Sequence, residues 1–380
     1  MLSSYATALL DWLGCAVRGW EEPAARAARA AGDPVVALGT AGHVLDFDDA
    51  YLPGVAHLSA PTAPVALALA AERGASVGEA LAAFAAGFEA MGAVARASHP
   101  ALYDGGWHPT AVCGGVGAAT AAARLLGLDR EDERSAVALA LARTGGTRAT
   151  FGSDGKSLQV GMAAGAGLLV ARLAEQGASV PLEEVARGEA GFEAVFGGRF
   201  AEPSKSEPAV DENWIKPWPC CLQTHASIEA ADRARADGLE PGAPVEIAVP
   251  PISLKAAIYG AEPADGLQAK FSIPYCTAFT LLKGPPRVES FREVDPEVVA
   301  LASSAVRVRA RDGMLESEAV LSADGAEVRV EAALGSPQRP MDTDALAAKL
   351  RGLAGERLDG ALDDLDRPAA ELLEAAGLSV

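Results

Sequence analysis

The sequence predicts a mainly α-helical protein: a large all-helical domain, with a smaller α+β lid domain inserted before the C-terminal helices. Half of the 380 residues are apolar but only 5% are aromatic, so the core must be built from Ala, Leu and Val, which suits closely packed helices. Helical periodicity and helix-stopping glycines dominate up to about residue 200. Short segments of alternating polarity appear only after residue 203.

Residues 3–20 place Leu9, Leu10, Leu13 and Val17 at helical spacing. Ser76 with Glu79 is a capping-box signature that opens a helix running to about Ala97. Residues 109–126 and 157–176 read as two further helices, stopped by Gly127 and Gly177. Both are rich in glycine (114, 115, 117; 161, 165, 167). Each glycine costs a helix about 1 kcal/mol relative to alanine, which tight crossings of backbones would justify. Beyond 203, "PVEIAV" (244–249), "AVRVRA" (305–310), "SEAVLS" (317–322) and "AEVRVEA" (326–332) read as half-buried strands. Ala323-Asp324-Gly325 makes a hairpin turn between the last two. "DTDALAAKL" (342–350) resumes helix. The expected division is 1–205 helical, 206–338 lid, and 339–380 returning to the helical domain, with no repeat that would mark a solenoid.

A net charge of −19 argues against nucleic acid as partner and requires any anionic substrate to be held by a local cationic cluster. With no basic-plus-apolar leader and no uncharged apolar run of roughly 18 residues, neither export nor membrane insertion is expected. The five cysteines are scattered apart from Cys220–Cys221, which suits a reduced cytoplasm. Gly74-Ala75-Ser76-Val77-Gly78 matches a nucleophile elbow, but it lies between helices where an elbow needs a preceding strand. Gly115-Val116-Gly117 lacks the strand and third glycine of a dinucleotide fingerprint. No Cys/His spacing suits zinc, and the cysteines do not cluster as an iron–sulfur site needs.

Four stretches combine ionisable side chains with Gly- or Pro-shaped loops or helix starts: "HVLDFDDAYLPGVAHLSAP" (43–61), "GGWHPTAVCGG" (105–115), "GSDGKSLQVGMAAGAG" (152–167) and "NWIKPWPCCLQTHASIEA" (213–230). "AKFSIPYCTAF" (269–279) is a fifth. In this order they resemble the MmgE/PrpD family of 2-methylcitrate dehydratases, cis-aconitate decarboxylases and an iminodisuccinate epimerase. The matching pieces are "LDFDD", "HPT", "K-x-L-x-x-G-x-A-A", "KP-W-P-CC-x-x-TH" and "FSIPY". The resemblance implies a cleft between helical domain and lid, a homodimer and no cofactor. It places Asp46, His57, His108, Lys156, Lys216 and Tyr275 along the cleft. The chain departs from the pattern at Ala50, where threonine is common, and at Gln159, where histidine is frequent.

Residue chemistry leads to a compatible reading. Removing a proton α to a carboxylate needs a base near neutral pKa, and imidazole starts there. The enolate that forms needs preorganised positive charge or donors. Only seven lysines occur, none before Lys156, and two of them, Lys156 and Lys216, fall in the motifs. His57 is therefore expected to move the proton, with Asp46 setting its charge and orientation. Lys156, Lys216 and His108 would grip carboxylates. Asp48 and Asp49 read as helix caps or salt-bridge partners, His43, His99 and His225 as structural with Thr224 capping the helix that His225 begins, and the cysteine pair as packing. The expected activity is a dehydratase acting on a small hydroxylated di- or tricarboxylic acid or on a larger molecule carrying that unit. Decarboxylation and epimerisation are near alternatives, and a non-catalytic carboxylate-binding protein is an alternative of another class.

Overall fold

The computed structural model describes residues 3–378. The chain is mostly helical, with one four-stranded sheet in its C-terminal part. Its buried apolar residues form two main clusters. The first gathers the helices Ser4–Gly19, Pro34–His43, Ser59–Arg73, Val77–Ser98, Pro109–Leu126 and Gly155–Glu175.

Pro109–Leu126 is the axis of that cluster, buried from Pro109 through Ala123. It packs between Val77–Ser98 and Gly155–Glu175. Glycine permits this approach: a Cβ at Gly167 would overlap Ala118, and one at Gly161 would overlap the carbonyl of Val36. The Ser76 capping box forms, with the Ser76 hydroxyl accepting from Glu79 N at 3.2 Å and the Glu79 carboxylate accepting from Ser76 N at 2.8 Å. Val77–Ser98 and Gly155–Glu175 are long and apolar enough to cross a bilayer, but more than half of each apolar window is packed inside the protein. Phe84, Phe88 and Met91 of the former are fully buried, each contributing about 1.5–3 kcal/mol.

The second cluster surrounds the sheet, whose strand order is Val306–Ala310, Val245–Val249, Ala319–Ala323, Ala326–Val330. The first two strands are parallel and the other neighbours antiparallel. The parallel pair needs a crossover, and the chain between them supplies the helices Ile273–Lys283 and Pro296–Ala305. Asp324 and Gly325 both have positive φ (49° and 80°), so the expected hairpin turn closes with two residues. Thr224 does not cap the helix His225–Ala236. Its own φ/ψ are already helical, where a cap needs extended backbone, and its hydroxyl donates to Cys221 O instead.

After the sheet, the helix Thr343–Ala354 packs on Ser4–Gly19, and Ala369–Ala376 packs on Ser59–Arg73. Where the two clusters meet, Ala50 and Tyr51 pair antiparallel with Trp214 and Asn213. That short ladder pins the acidic loop after Pro34–His43 to the start of the sheet-bearing region.

Candidate active site

The helix Pro34–His43 ends at His43, and the next residues turn sharply through Asp46, a non-glycine residue with φ of 53°. Aspartate tolerates this left-handed region better than most side chains. Three buried ammonium groups hold three consecutive carbonyls of the turn. Lys270 donates to Leu45 O at 2.5 Å, Lys216 to Asp46 O at 2.9 Å, and Lys349 to Phe47 O at 2.8 Å. Lys156, in the first turn of Gly155–Glu175, donates to the Asp46 carboxylate at 2.9 Å, and Lys216 donates to the same oxygen at 3.1 Å. All four of these lysines are buried, whereas the chain's other three, Lys205, Lys255 and Lys283, are exposed.

The electrostatics follow from this crowding. Burial alone would raise the Asp46 carboxyl, but Lys156 and Lys216 outweigh it and hold the group well below the usual range. Burial acts likewise on Asp48, and there His43 and His57 outweigh it. For Lys216 burial works against the charge, and the two aspartates overcome it to raise the ammonium. Asp49 has no cationic partner: burial, with the charges of Asp48 and Asp11, pushes its carboxyl up to about 8 while Ser59 and Asn213 donate to it at 2.8 Å. Burial also brings Lys270 down to about 8.

Asp46, His57, His108, Lys156 and Lys216 line one small cavity of about 60 Å³, together with Thr110, Phe151, Cys221, Gln223 and Phe271. The His57 Nδ1 lies 2.7 Å from Asp49 O and 3.3 Å from the Asp48 carboxylate. A carbonyl only accepts, so Nδ1 carries the hydrogen and Nε2 keeps a lone pair. That Nε2 lies 3.9 Å from the Asp46 carboxylate. Burial lowers the His57 pKa, which keeps the ring neutral near pH 7. His108 precedes the first turn of Pro109–Leu126 and receives a hydrogen bond on Nδ1 from Gln159 at 2.7 Å. Burial and then Lys156 hold it well below the usual histidine range.

The structure corrects several expectations. Tyr275 does not line this cavity. It sits on the helix Ile273–Lys283, fully buried in the second cluster, and its phenol accepts from Asp295 N at 3.0 Å. The same motif reaches the acidic turn through Phe271 and Lys270. Asp48 rather than Asp46 stands behind His57, because the left-handed turn at Asp46 aims that carboxylate at the lysines. Of the two readings of Asp48 and Asp49, helix cap or salt-bridge partner, Asp48 takes the second, facing His43 and His57, and neither residue caps the helix Ser59–Arg73.

His43, expected to be structural, is fully buried and does not line the cavity; it links two of the site's groups, with Nδ1 meeting Asp48 at 2.8 Å and Nε2 accepting from Lys156 at 2.8 Å. Burial brings it down to about 4. The only sequence signal was its place in the same acidic stretch, five residues before Asp48. Ligand atoms of His43, Asp48 and His57 lie within 4.8 Å of one another, close enough to share a metal ion. The donor set opposes a cation there, because the Lys156 ammonium already sits on the other nitrogen of His43 and the Lys216 ammonium is close by on Asp46.

The model of the MmgE/PrpD N-terminal domain matches residues 32–203, and that of the C-terminal domain matches residues 218–374. A human protein named cis-aconitate decarboxylase is 30% identical over 286 residues, which is 70% of this chain and 59% of that protein. Its Mus musculus counterpart is 29% identical over 274 residues, 67% of this chain and 55% of that protein. A cis-aconitate decarboxylase-like protein of Aspergillus oryzae is 32% identical over 166 residues, 40% of this chain and 34% of that protein. The chain thus spans a little over half the length of the two mammalian relatives.

Proposed function

The chain belongs to the MmgE/PrpD family, and from that premise we propose that it is a cofactor-independent lyase moving a proton at the carbon α to a carboxylate of a small di- or tricarboxylic acid. The observation that carries this reading is a neutral imidazole lone pair, His57 Nε2, in one cavity with two ammonium groups. Lys156 and Lys216 share a single carboxylate, Asp46, so the trio keeps one net positive charge for a substrate anion. In the proposed dehydration, His57 Nε2 takes the α-proton, the C–H pair becomes the new C=C bond, the C–O pair leaves with the oxygen, and the proton held by His57 passes to that oxygen to release water. A base that is neutral at physiological pH suits that first step.

Decarboxylation is a second reading, favoured by the names of the mammalian relatives. There the C–C bond breaks, CO₂ leaves, and the carbanion is protonated. The two share a carbanion stabilised next to a carboxylate and differ in the leaving group. The deciding experiment incubates the protein with citrate-type hydroxy acids and with cis-aconitate in D₂O, followed by NMR. Loss of water with deuterium exchange at the α-carbon supports dehydration, and release of CO₂ supports decarboxylation. Binding without exchange or product would assign a carboxylate-binding protein instead.

The cytoplasm is the proposed location, supported by five free, buried cysteines. A homodimer is the proposed assembly. Its support is the stripe of Met162, Leu169 and Leu173 on Gly155–Glu175, 55%, 55% and 44% exposed beside a broad groove.

A further inference from the structure

We propose that Gln159 is a positioning residue that fixes His108 as the Nε2–H tautomer, so that His108 donates a hydrogen bond to a substrate oxygen while His57 alone takes the proton. This deepens the lyase reading and rests on it for the substrate.

The orientation of the Gln159 amide is decided by backbone. Its Oε1 lies 3.1 Å from Thr147 N, and a main-chain N–H can only donate, so the oxygen must face that way. The amide nitrogen then faces His108 Nδ1 at 2.7 Å. An NH₂ group only donates, so Nδ1 must be the unprotonated nitrogen and the ring hydrogen sits on Nε2. The second amide hydrogen is shared between the Thr150 hydroxyl at 2.8 Å and Thr147 O at 3.2 Å, both of which accept, so neither would pair with the amide oxygen if the group were reversed. That hydroxyl spends its own hydrogen on Thr147 O, which leaves its oxygen free to accept. Reversing the amide would set two donors face to face at Thr147. Every polar group around Gln159 therefore agrees on one tautomer.

His57 is held the opposite way, with its hydrogen on Nδ1 by Asp49 O. The cavity thus has one histidine whose Nε2 is a lone pair and one whose Nε2 carries a hydrogen. Burial beside Lys156 keeps His108 from charging, so the hydrogen it offers is that of a neutral imidazole. Such a donor can meet the oxygen charge that develops on an enolate without carrying off the proton.

The test needs no substrate for its first arm. The full chain is labelled with ¹⁵N-histidine, and the His108 resonances are identified by their loss in His108→Gln. The wild type should show the neutral Nε2–H tautomer at pH 6.5 and above. Gln159→Glu keeps the side-chain shape but presents an acceptor, so the hydrogen should move to Nδ1 and the ring should titrate at higher pH. A wild-type His108 that carries its hydrogen on Nδ1 overturns the proposal, whatever the protein's activity.

In the second arm, turnover of Gln159→Glu should fall by about 10²–10³-fold, as when one preorganised donor is lost, with KM changed far less. Normal turnover with a flipped tautomer would also overturn it. Failure of the lyase reading would look different: His57→Gln would turn over normally while the His108 tautomer stayed as stated.

Discussion

His57 can act as a base only while Asp49 O holds its Nδ1 hydrogen, because that contact leaves Nε2 as the one nitrogen with a lone pair. His57→Gln should therefore lower turnover by roughly 10²–10⁴-fold with substrate affinity nearly intact, the usual range for a lost acid–base group. The sign of the pH dependence follows from the shift. Burial lowers the His57 pKa below the ordinary 6.5, so the neutral base persists at pH 6.5 and is lost only as the pH falls further. A kcat/KM profile should show an acid limb centred below pH 6.5. A limb centred above 6.5 would assign the proton transfer to another group.

The acidic turn is held in place by segments far away in the chain. Lys349, on the helix Thr343–Ala354, donates to Phe47 O and pairs with Asp11 of Ser4–Gly19 at 2.5 Å. Both partners are buried. Lys349→Met would leave the Asp11 carboxyl unpartnered inside the core, and breaking such a pair costs about 3–5 kcal/mol. Urea unfolding should show that loss, and adding Asp11→Asn should recover part of it by removing the stranded charge. If the double variant were no more stable than Lys349→Met, the loss would come from packing or from the Phe47 contact rather than from the ion pair. Lys216 and Lys270 come from the sheet-bearing region to the same turn, so the geometry of Asp46 depends on how that region seats against the helices.

Across the whole molecule, the exposed apolar stripe of Met162, Leu169 and Leu173 is the surface on which the proposed dimer rests. The three residues are spaced by seven and four, so they lie on one face of Gly155–Glu175. Light scattering should give twice the chain mass of 38.7 kDa, and Leu169→Glu should shift the protein toward monomer. A wild type that runs as a monomer at micromolar concentration would remove the dimer proposal. The same helix carries Lys156 and Gln159 at its start, so the proposed dimer face and the cavity share one element.

Local patterns in the sequence were enough for helices such as Val77–Ser98, Pro109–Leu126 and Gly155–Glu175, for the four strands of the larger sheet and for the Asp324-Gly325 hairpin, because periodicity, capping and turn chemistry act within a few residues. They did not mark Pro34–His43, Ser59–Arg73 or the Ala50–Tyr51 ladder. Ser76 with Glu79, and the glycines that let Gly155–Glu175 approach its neighbours, were legible for that reason. The ionisable motifs also identified five residues that share the cavity. What sequence could not decide was direction. Whether Tyr275 faces the cavity or the second apolar cluster depends on how one helix is rotated against its neighbours, and it lies in the cluster, where its phenol accepts from Asp295 N. Whether Asp46 or Asp48 backs His57 depends on one left-handed residue. Lys270 and Lys349 reach the acidic turn, and His43 meets Lys156, because the turn is buried and groups from distant parts of the chain supply its hydrogen-bond partners.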